Sequence, residues 1–211
     1  MAERLQIAID GTFASGKGTL AKRLAAHYGL AHLDTGKIYR ATAYAVLQAG
    51  GDMDVEADGV AGVEAANFDA LDDAALLSND VAQAASKVAV HGRVRAALIQ
   101  MQRDFATHGA VLDGRDIGTV ILPSATVKLF VDAKAEVRAH RRWLELSGRG
   151  DTITEAQVLD SLRERDARDA NRALAPLKPA ADAHLLDTTN LSIERAFERA
   201  VSIVDAATAP R

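Results

Sequence analysis

Gly11-Thr12-Phe13-Ala14-Ser15-Gly16-Lys17-Gly18-Thr19 is the stretch that decides how this sequence folds. The apolar run Leu5-Gln6-Ile7-Ala8-Ile9 precedes it, and Thr19-Leu20-Ala21-Lys22-Arg23-Leu24 opens a helical pattern after it. A strand, a glycine-rich turn and a helix in that order make a phosphate loop. Glycines let backbone N–H donors crowd around phosphate oxygens, the helix N-terminus adds its dipole, and Lys17 can reach the β- and γ-phosphates. All nine residues from Gly11 to Thr19 are therefore expected to bind the phosphates of a nucleoside triphosphate. The usual pattern has Ser or Thr directly after the lysine; here Gly18 stands there and Thr19 follows. The hydroxyl is thus expected to serve a phosphate oxygen, with Mg²⁺ held largely through water and phosphate. The loop does not say where the phosphoryl group goes, because motors, GTPases and small-molecule kinases share it.

Working outward, five short apolar runs read as buried strands: Leu5 to Asp10, Gly29 to Asp34, Ala110 to Asp113, Thr126 to Asp132 and Ala183 to Asp187. Helical patterns fill the intervals: Gly18 to Tyr28, Gly36 to Ala49, Asp80 to His108, Ala133 to Ser147, Thr154 to Arg172 and Ser192 to Ala207. Alternating strands and helices predict an α/β fold, a five-stranded parallel sheet flanked by helices. Ligands in such sheets bind beyond the carboxyl ends of the strands, where several of these runs end in Asp. Asn79-Asp80 is a candidate cap for the third helix, and Thr154-x-x-Gln157 has capping-box spacing for the fifth. The stretch from Gly50 to Ser78 reads as a short helical insertion, and Ser147-Gly148-Arg149-Gly150-Asp151 as a hinge.

Composition bounds the function. Of the apolar residues 43 are alanine, which leaves 59 larger hydrophobes, enough for one compact domain with small insertions. No apolar run reaches the roughly 18 residues of a membrane-spanning helix. Met1-Ala2-Glu3-Arg4-Leu5 leads straight into a strand, so no separate secretory signal is expected. The absence of cysteine excludes disulfides and thiolate chemistry, and the six histidines lack zinc-site spacing. A net charge of −4 argues against bulk capture of nucleic acid. Arginine outnumbers lysine 18 to 7, which fits either a GC-rich genome or a site that grips phosphates with guanidinium forks.

Gly16-Lys17-Gly18-Thr19 resembles the nucleoside monophosphate kinases. Four further blocks resemble bacterial cytidylate kinases: residues 34–40 (Asp-Thr-Gly-Lys-Ile-Tyr-Arg), 114–120 (Gly-Arg-Asp-Ile-Gly-Thr-Val), 165–172 (Arg-Asp-Ala-Arg-Asp-Ala-Asn-Arg) and 175–183 (Ala-Pro-Leu-Lys-Pro-Ala-Ala-Asp-Ala). The resemblance runs from about Leu5 to about Ile203. It implies a P-loop kinase fold with a helical NMP-binding insertion and an Arg-rich lid. The boundaries are a single domain over 1–211, with core 1–34, 80–147 and 173–211, NMP-binding region 35–79 and lid 148–172. It also implies transfer of the γ-phosphoryl group of ATP to CMP or dCMP in pyrimidine metabolism, with Mg²⁺ as cofactor. A monomer in the cytoplasm acting on free nucleotides, without nucleic acid or membrane, is expected. The rival readings are a kinase for UMP, AMP or a small hydroxyl substrate, and a nucleotide-binding regulator that transfers nothing.

The chemistry of the residues agrees with this. Phosphoryl transfer gathers negative oxygens, so catalysis is chiefly positioning and charge neutralisation. Arg165, Arg168, Asp169 and Arg172 lie at helical offsets that share one face, and Arg138, Arg141 and Arg142 form a second such face. Lys17, Arg141, Arg142, Arg165, Arg168 and Arg172 are the expected catalytic cations; for Arg138 ordinary helix-surface chemistry is the stronger expectation. Cytosine offers an N4 amine and acceptors at O2 and N3, so a carboxylate and a guanidinium are wanted; Asp116 and Arg95 are the candidates. The resemblance implies Thr35 and Arg40 near the base or α-phosphate, Arg115 and Arg172 at the phosphate, and Ser86 with Asp169 at the ribose. Ser86 reads equally well as an ordinary small helix residue. Asp113 is a candidate to orient Mg²⁺ through water, with a turn aspartate the alternative, and Asp34 is a candidate for a water-mediated Mg²⁺ role or a lid role; Asp132 reads as a helix cap.

Departures from the family pattern are also visible. Thr12 replaces the usual proline, Ala14 the inner glycine, and Thr35 the usual serine, while residues 50–78 are shorter than the insertion many members carry. Ala14 matters if its φ is positive, which costs a residue with a Cβ about 1 kcal/mol.

Overall fold

The computed structural model describes residues 4–71 and 74–209. The opening Met1-Ala2-Glu3, and Asp72 and Asp73 within the expected insertion, lie outside the described residues, as does the side chain of Asn79.

Each expected strand forms: β1 (Gln6–Gly11), β2 (Ala31–Asp34), β3 (Ala110–Gly114), β4 (Val127–Asp132) and β5 (His184–Asp187). They make one sheet in the order β2-β3-β1-β4-β5, and β1 runs parallel to both neighbours. β4 and β5 are parallel as well. Because β1 is central and covered on both faces, Ile7, Ala8 and Ile9 are fully buried, and a continuous apolar run is what such a strand requires.

Helix α1 (Lys17–Tyr28) follows β1 directly, α2 (Thr35–Gln48) follows β2, and α3 (Glu56–Ala65) occupies the expected insertion with two short 3₁₀ turns. Next come α4 (Asn79–Val88), α5 (Gly92–Phe105), α6 (Ala135–Ser147), α7 (Glu155–Ala170) and α8 (Ile193–Thr208). The Thr154–Gln157 capping box at α7 is present in both directions.

Three expectations are corrected. The single helix from Asp80 to His108 is two helices, broken at residues 89–91, because His91 takes an extended N-cap conformation ahead of Gly92. The cap of α4 is Ser78, whose Oγ accepts from the Val81 N–H at 3.2 Å, rather than Asn79-Asp80. Arg172 lies beyond the end of its helix, since α7 stops at Ala170 and Asn171 is its C-cap.

The chain divides into two compact units, one of residues 1–32 and 108–211 and the other Leu33–Thr107. The first has its core where Leu20, Leu24, Val111, Leu129, Val131, Leu186 and Val204 meet. In the second, Gly59 and Gly62 bring α3 close against its neighbours. A Cβ on Gly59 would stand 2.8 Å from Val94, and one on Gly62 would run into Val46 and the Thr42 carbonyl. Glycines three residues apart on one helix face permit that approach, and alanine at Gly62 would overpack it.

Candidate active site

In the first unit the phosphate loop hangs between the end of β1 and the start of α1. Gly11 sits opposite Val131 of β4, and a Cβ there would overlap the Val131 carbonyl, so no other residue fits. Gly16 is the N-cap of α1 with φ 89°, a left-handed conformation natural to glycine. Ala14 has φ 59° without being glycine. Replacing Ala14 with glycine is expected to relieve that strain, offset in part by loss of its methyl contact with α6 and α7. The melting temperature should rise by about 2 °C. A thermal scan of the A14G variant checks this; an unchanged or lower midpoint sinks the strain argument.

Side chains brace the loop from inside. Ser15 is fully buried and its Oγ donates to the Thr12 carbonyl at 3.0 Å. Thr12 Oγ1 donates to Asp132 Oδ1 at 2.6 Å, and that oxygen also accepts from the Ala133 N–H. Asp132 is therefore not the helix cap expected from sequence, since α6 starts later, after Lys134; it anchors the loop. Thr188, just past β5, donates its hydroxyl to the Ser15 carbonyl at 3.0 Å. The Arg141 guanidinium donates to the Thr188 carbonyl and hydroxyl at 2.8 and 3.2 Å, so Arg141 is tied to the back of the same loop.

Two aspartates close strands beside the loop. Asp113, buried at the end of β3, is hydrogen-bonded to His32 Nε2 through Oδ1 at 2.7 Å. Its other oxygen would lie 3.7 Å from a Cβ on Gly18, an ordinary contact, so it faces the first turn of α1. No group of three His, Asp or Glu that could hold a metal is found among the described residues. A lone carboxylate next to a phosphate loop suits a hydrated cation held mainly by phosphate, which is how Mg²⁺ prefers to bind. Asp10 was not singled out by sequence. Its carboxylate accepts from the Ile117 and Gly118 N–H groups at 2.7 and 2.8 Å and so fixes the start of the π-helical turn Ile117–Ile121, which follows Asp116. Burial pushes the Asp10 carboxyl up to about 6, against the lowering effect of those two hydrogen bonds.

Just before that turn stand Arg115 and Asp116, the latter buried. Arg115 Nε donates to Asp169 Oδ2 at 2.8 Å, and Arg172 pairs with Asp169 Oδ1. Asp169 is fully buried. Burial would raise its carboxyl, but Arg115, Arg172 and Arg165 outweigh that and hold it below the usual carboxylate range. The α6–α7 hairpin supplies the other cations. Arg142, nearly buried, pairs with Glu145 at 2.8 Å. Arg165 lies with its guanidinium carbon 4.1 Å from the centre of the Phe13 ring, and Arg168 is half-buried on the same helix. Arg138, expected to be ordinary surface, is buried instead: it donates to the Ala133 and Phe13 carbonyls and to Asp166 Oδ2.

The second unit carries the remaining candidates. Thr35 is buried at the first position of α2, with Asp34 as N-cap and Arg40 half-buried one to two turns further on. Ser86 on α4 is 2% exposed, and its Oγ has no hydrogen-bond partner among the described residues. A buried hydroxyl left so is what an incoming polar ligand would satisfy. Arg95 is buried on α5.

A model of the cytidylate kinase family matches residues 7–206. The chain belongs to that family. A cytidylate kinase of Rhodopseudomonas palustris (strain BisB18) is 58% identical over 207 residues, 97% of this chain and 98% of the relative. One of Methylocella silvestris is 58% identical over 206 residues, covering 95% and 94%. One of Brucella suis is 53% identical over 205 residues, covering 96% and 94%. Among solved structures, TT1252 from Thermus thermophilus superposes with a TM-score of 0.50 at 23% identity, covering 98% of this chain and 99% of that one, a likeness of fold alone.

Proposed function

We propose that this protein moves the γ-phosphoryl group of ATP onto CMP, and onto dCMP, giving CDP or dCDP and ADP. Family membership at this identity and coverage supports ATP-dependent phosphorylation of CMP. An oxygen of the CMP α-phosphate attacks the γ-phosphorus in line while the bond to the β,γ-bridging oxygen breaks, and ADP leaves with that electron pair. No covalent enzyme intermediate is needed. Lys17 and the amides from Gly11 to Thr19 hold the donor phosphates. Arg40, Arg115 and Arg172 bind the acceptor phosphate; Arg141, Arg142, Arg165 and Arg168 neutralise charge in flight. Ser86 takes a ribose hydroxyl, and Asp169 acts there by orienting Arg115 and Arg172. Thr35 lies near the base or phosphate. Asp113 and Asp34 would orient Mg²⁺ through water, and the ion would supply positive charge to the donor phosphates. Residues 35–79 form the monophosphate-binding region and 148–172 the lid. The working unit is one chain in the cytoplasm acting on free nucleotides, with neither nucleic acid nor membrane as partner. No helix among the described residues is long and apolar enough to cross a membrane.

The observation that carries the reading is the arginine set around one buried carboxylate, Asp169, in the same unit as the phosphate loop. A regulator that only senses nucleotide has little use for it. For the base, Asp116 accepts the cytosine N4 amine, and Arg95 donates to the acceptors. A coupled ADP-release assay across CMP, dCMP, UMP and AMP is expected to give fastest turnover on CMP and dCMP. Asp116→Asn should lower kcat/KM for CMP about 100-fold while leaving KM for ATP nearly unchanged. Fastest turnover on UMP or AMP would overturn the assignment of Asp116 and Arg95.

A further inference from the structure

Phe13 stands inside the phosphate loop, yet an aromatic ring has nothing to offer a phosphate. Its surroundings give it another use. The ring lies under Arg165, 4.1 Å from the guanidinium carbon, and 5.7 Å from that of Arg142. With Ala14 and Trp143 it packs on the apolar strip of Ala139, Leu146, Val158 and Leu162 that joins α6 to α7. Its carbonyl accepts from Arg138 Nη1 at 3.1 Å, and the other nitrogen of that guanidinium bridges to Asp166 on α7 at 2.7 Å. One residue of the loop thus holds the arginine hairpin by its ring and by its backbone.

We propose that Phe13 is a positioning residue for phosphoryl transfer, a ring platform that fixes the Arg165 guanidinium beside the phosphate loop. The inference rests on the reading of Arg165 as a cation that neutralises the transferred group. A cation–π contact of this kind restrains a guanidinium without occupying any of its N–H donors. The platform also removes rotamer freedom from a long side chain before nucleotide arrives, so less is lost when the transition state forms.

The test uses F13L, which keeps apolar bulk without a π face, F13Y, which keeps the ring, R165A, and the F13L/R165A double variant. The measurements are kcat, KM for ATP and for CMP, the melting temperature, and the fluorescence of Trp143, the sole tryptophan, on titration with ATP. F13L is expected to lower kcat about tenfold with KM for CMP within twofold of wild type. F13Y should restore kcat to within threefold, and the double variant should be no slower than R165A. The ATP-induced Trp143 signal should shrink in F13L and return in F13Y. Wild-type kcat in F13L with an impaired R165A would overturn the platform alone, as would an F13Y as slow as F13L, which would mark simple packing. Full activity in R165A would instead overturn the reading of Arg165 on which the platform rests.

Discussion

Asp169→Asn is expected to lower both stability and turnover with CMP. The native carboxylate is fully buried between Arg115 and Arg172, and the amide would remove the negative charge that these two nearly buried guanidiniums share. Breaking a buried pair from one side costs about 3–5 kcal/mol, more than any exposed ion pair of this chain could. The same change frees Arg115 and Arg172 from their fixed directions, so KM for CMP should rise at least about tenfold, with KM for ATP less affected. The pH dependence has a definite sign. The Asp169 carboxyl is held below the usual carboxylate range, so its contribution to folding is complete above the unfolded value of about 4 and is lost as pH falls through the lower folded value. Urea unfolding of wild type and variant should therefore differ by a constant amount from about pH 5 to 8, and the gap should close in acid. A gap that persists undiminished to pH 2 would count against the ion-pair account.

The second large effect is expected at Asp10, with the opposite sign. Burial, helped by Asp116 nearby, raises this carboxyl to about 6 against the pull of the Gly118 and Ile117 N–H groups and of Arg115. A folded value above the unfolded one means that the stabilisation is complete below about pH 4 and is lost as pH rises through about 6. Going from pH 5 to pH 8, wild type should lose on the order of 2 kcal/mol through this group. Asp10→Asn removes that slope, and it also turns an amide NH₂ toward one of two buried N–H donors, at a cost of about 1–3 kcal/mol. The turn bearing Arg115 and Asp116 should loosen, and KM for CMP should rise severalfold. Unfolding midpoints of both proteins at pH 5, 6, 7 and 8 give the comparison. Parallel curves would refute the titration of Asp10.

Both effects depend on residues whose roles differ in how readable they were. Asp169 belonged to a sequence block that resembles a known acceptor site, but the resemblance assigned it to the ribose. Its depth between two arginines, which makes it a counter-charge to both, is visible only in the structure. Asp10 looked like the last residue of a strand. Its partners lie 107 and 108 positions away, and backbone N–H groups carry no sequence signal. Thr188 was invisible for the same reason, since its contact with Ser15 spans 173 residues. Arg138 was misread because a charged residue on a helix is ordinarily solvated, whereas here three oxygen acceptors compensate its burial.

The sequence by itself determined the parallel α/β sheet, the phosphate loop and the place of each strand to within a few residues. These follow from local periodicity and from glycines whose backbone positions admit nothing larger, which are properties of short segments. The break between α4 and α5 escaped it, because apolar spacing runs on through residues 89–91 and only the extended backbone at His91 interrupts the helix. Tertiary structure alone decided which of the many arginines are buried, which carboxylates orient them, and that a phenylalanine in a phosphate loop lies under one of them. Burial and charge pairing are properties of segments brought together from distant parts of the chain, and they set the energies on which the chemistry depends.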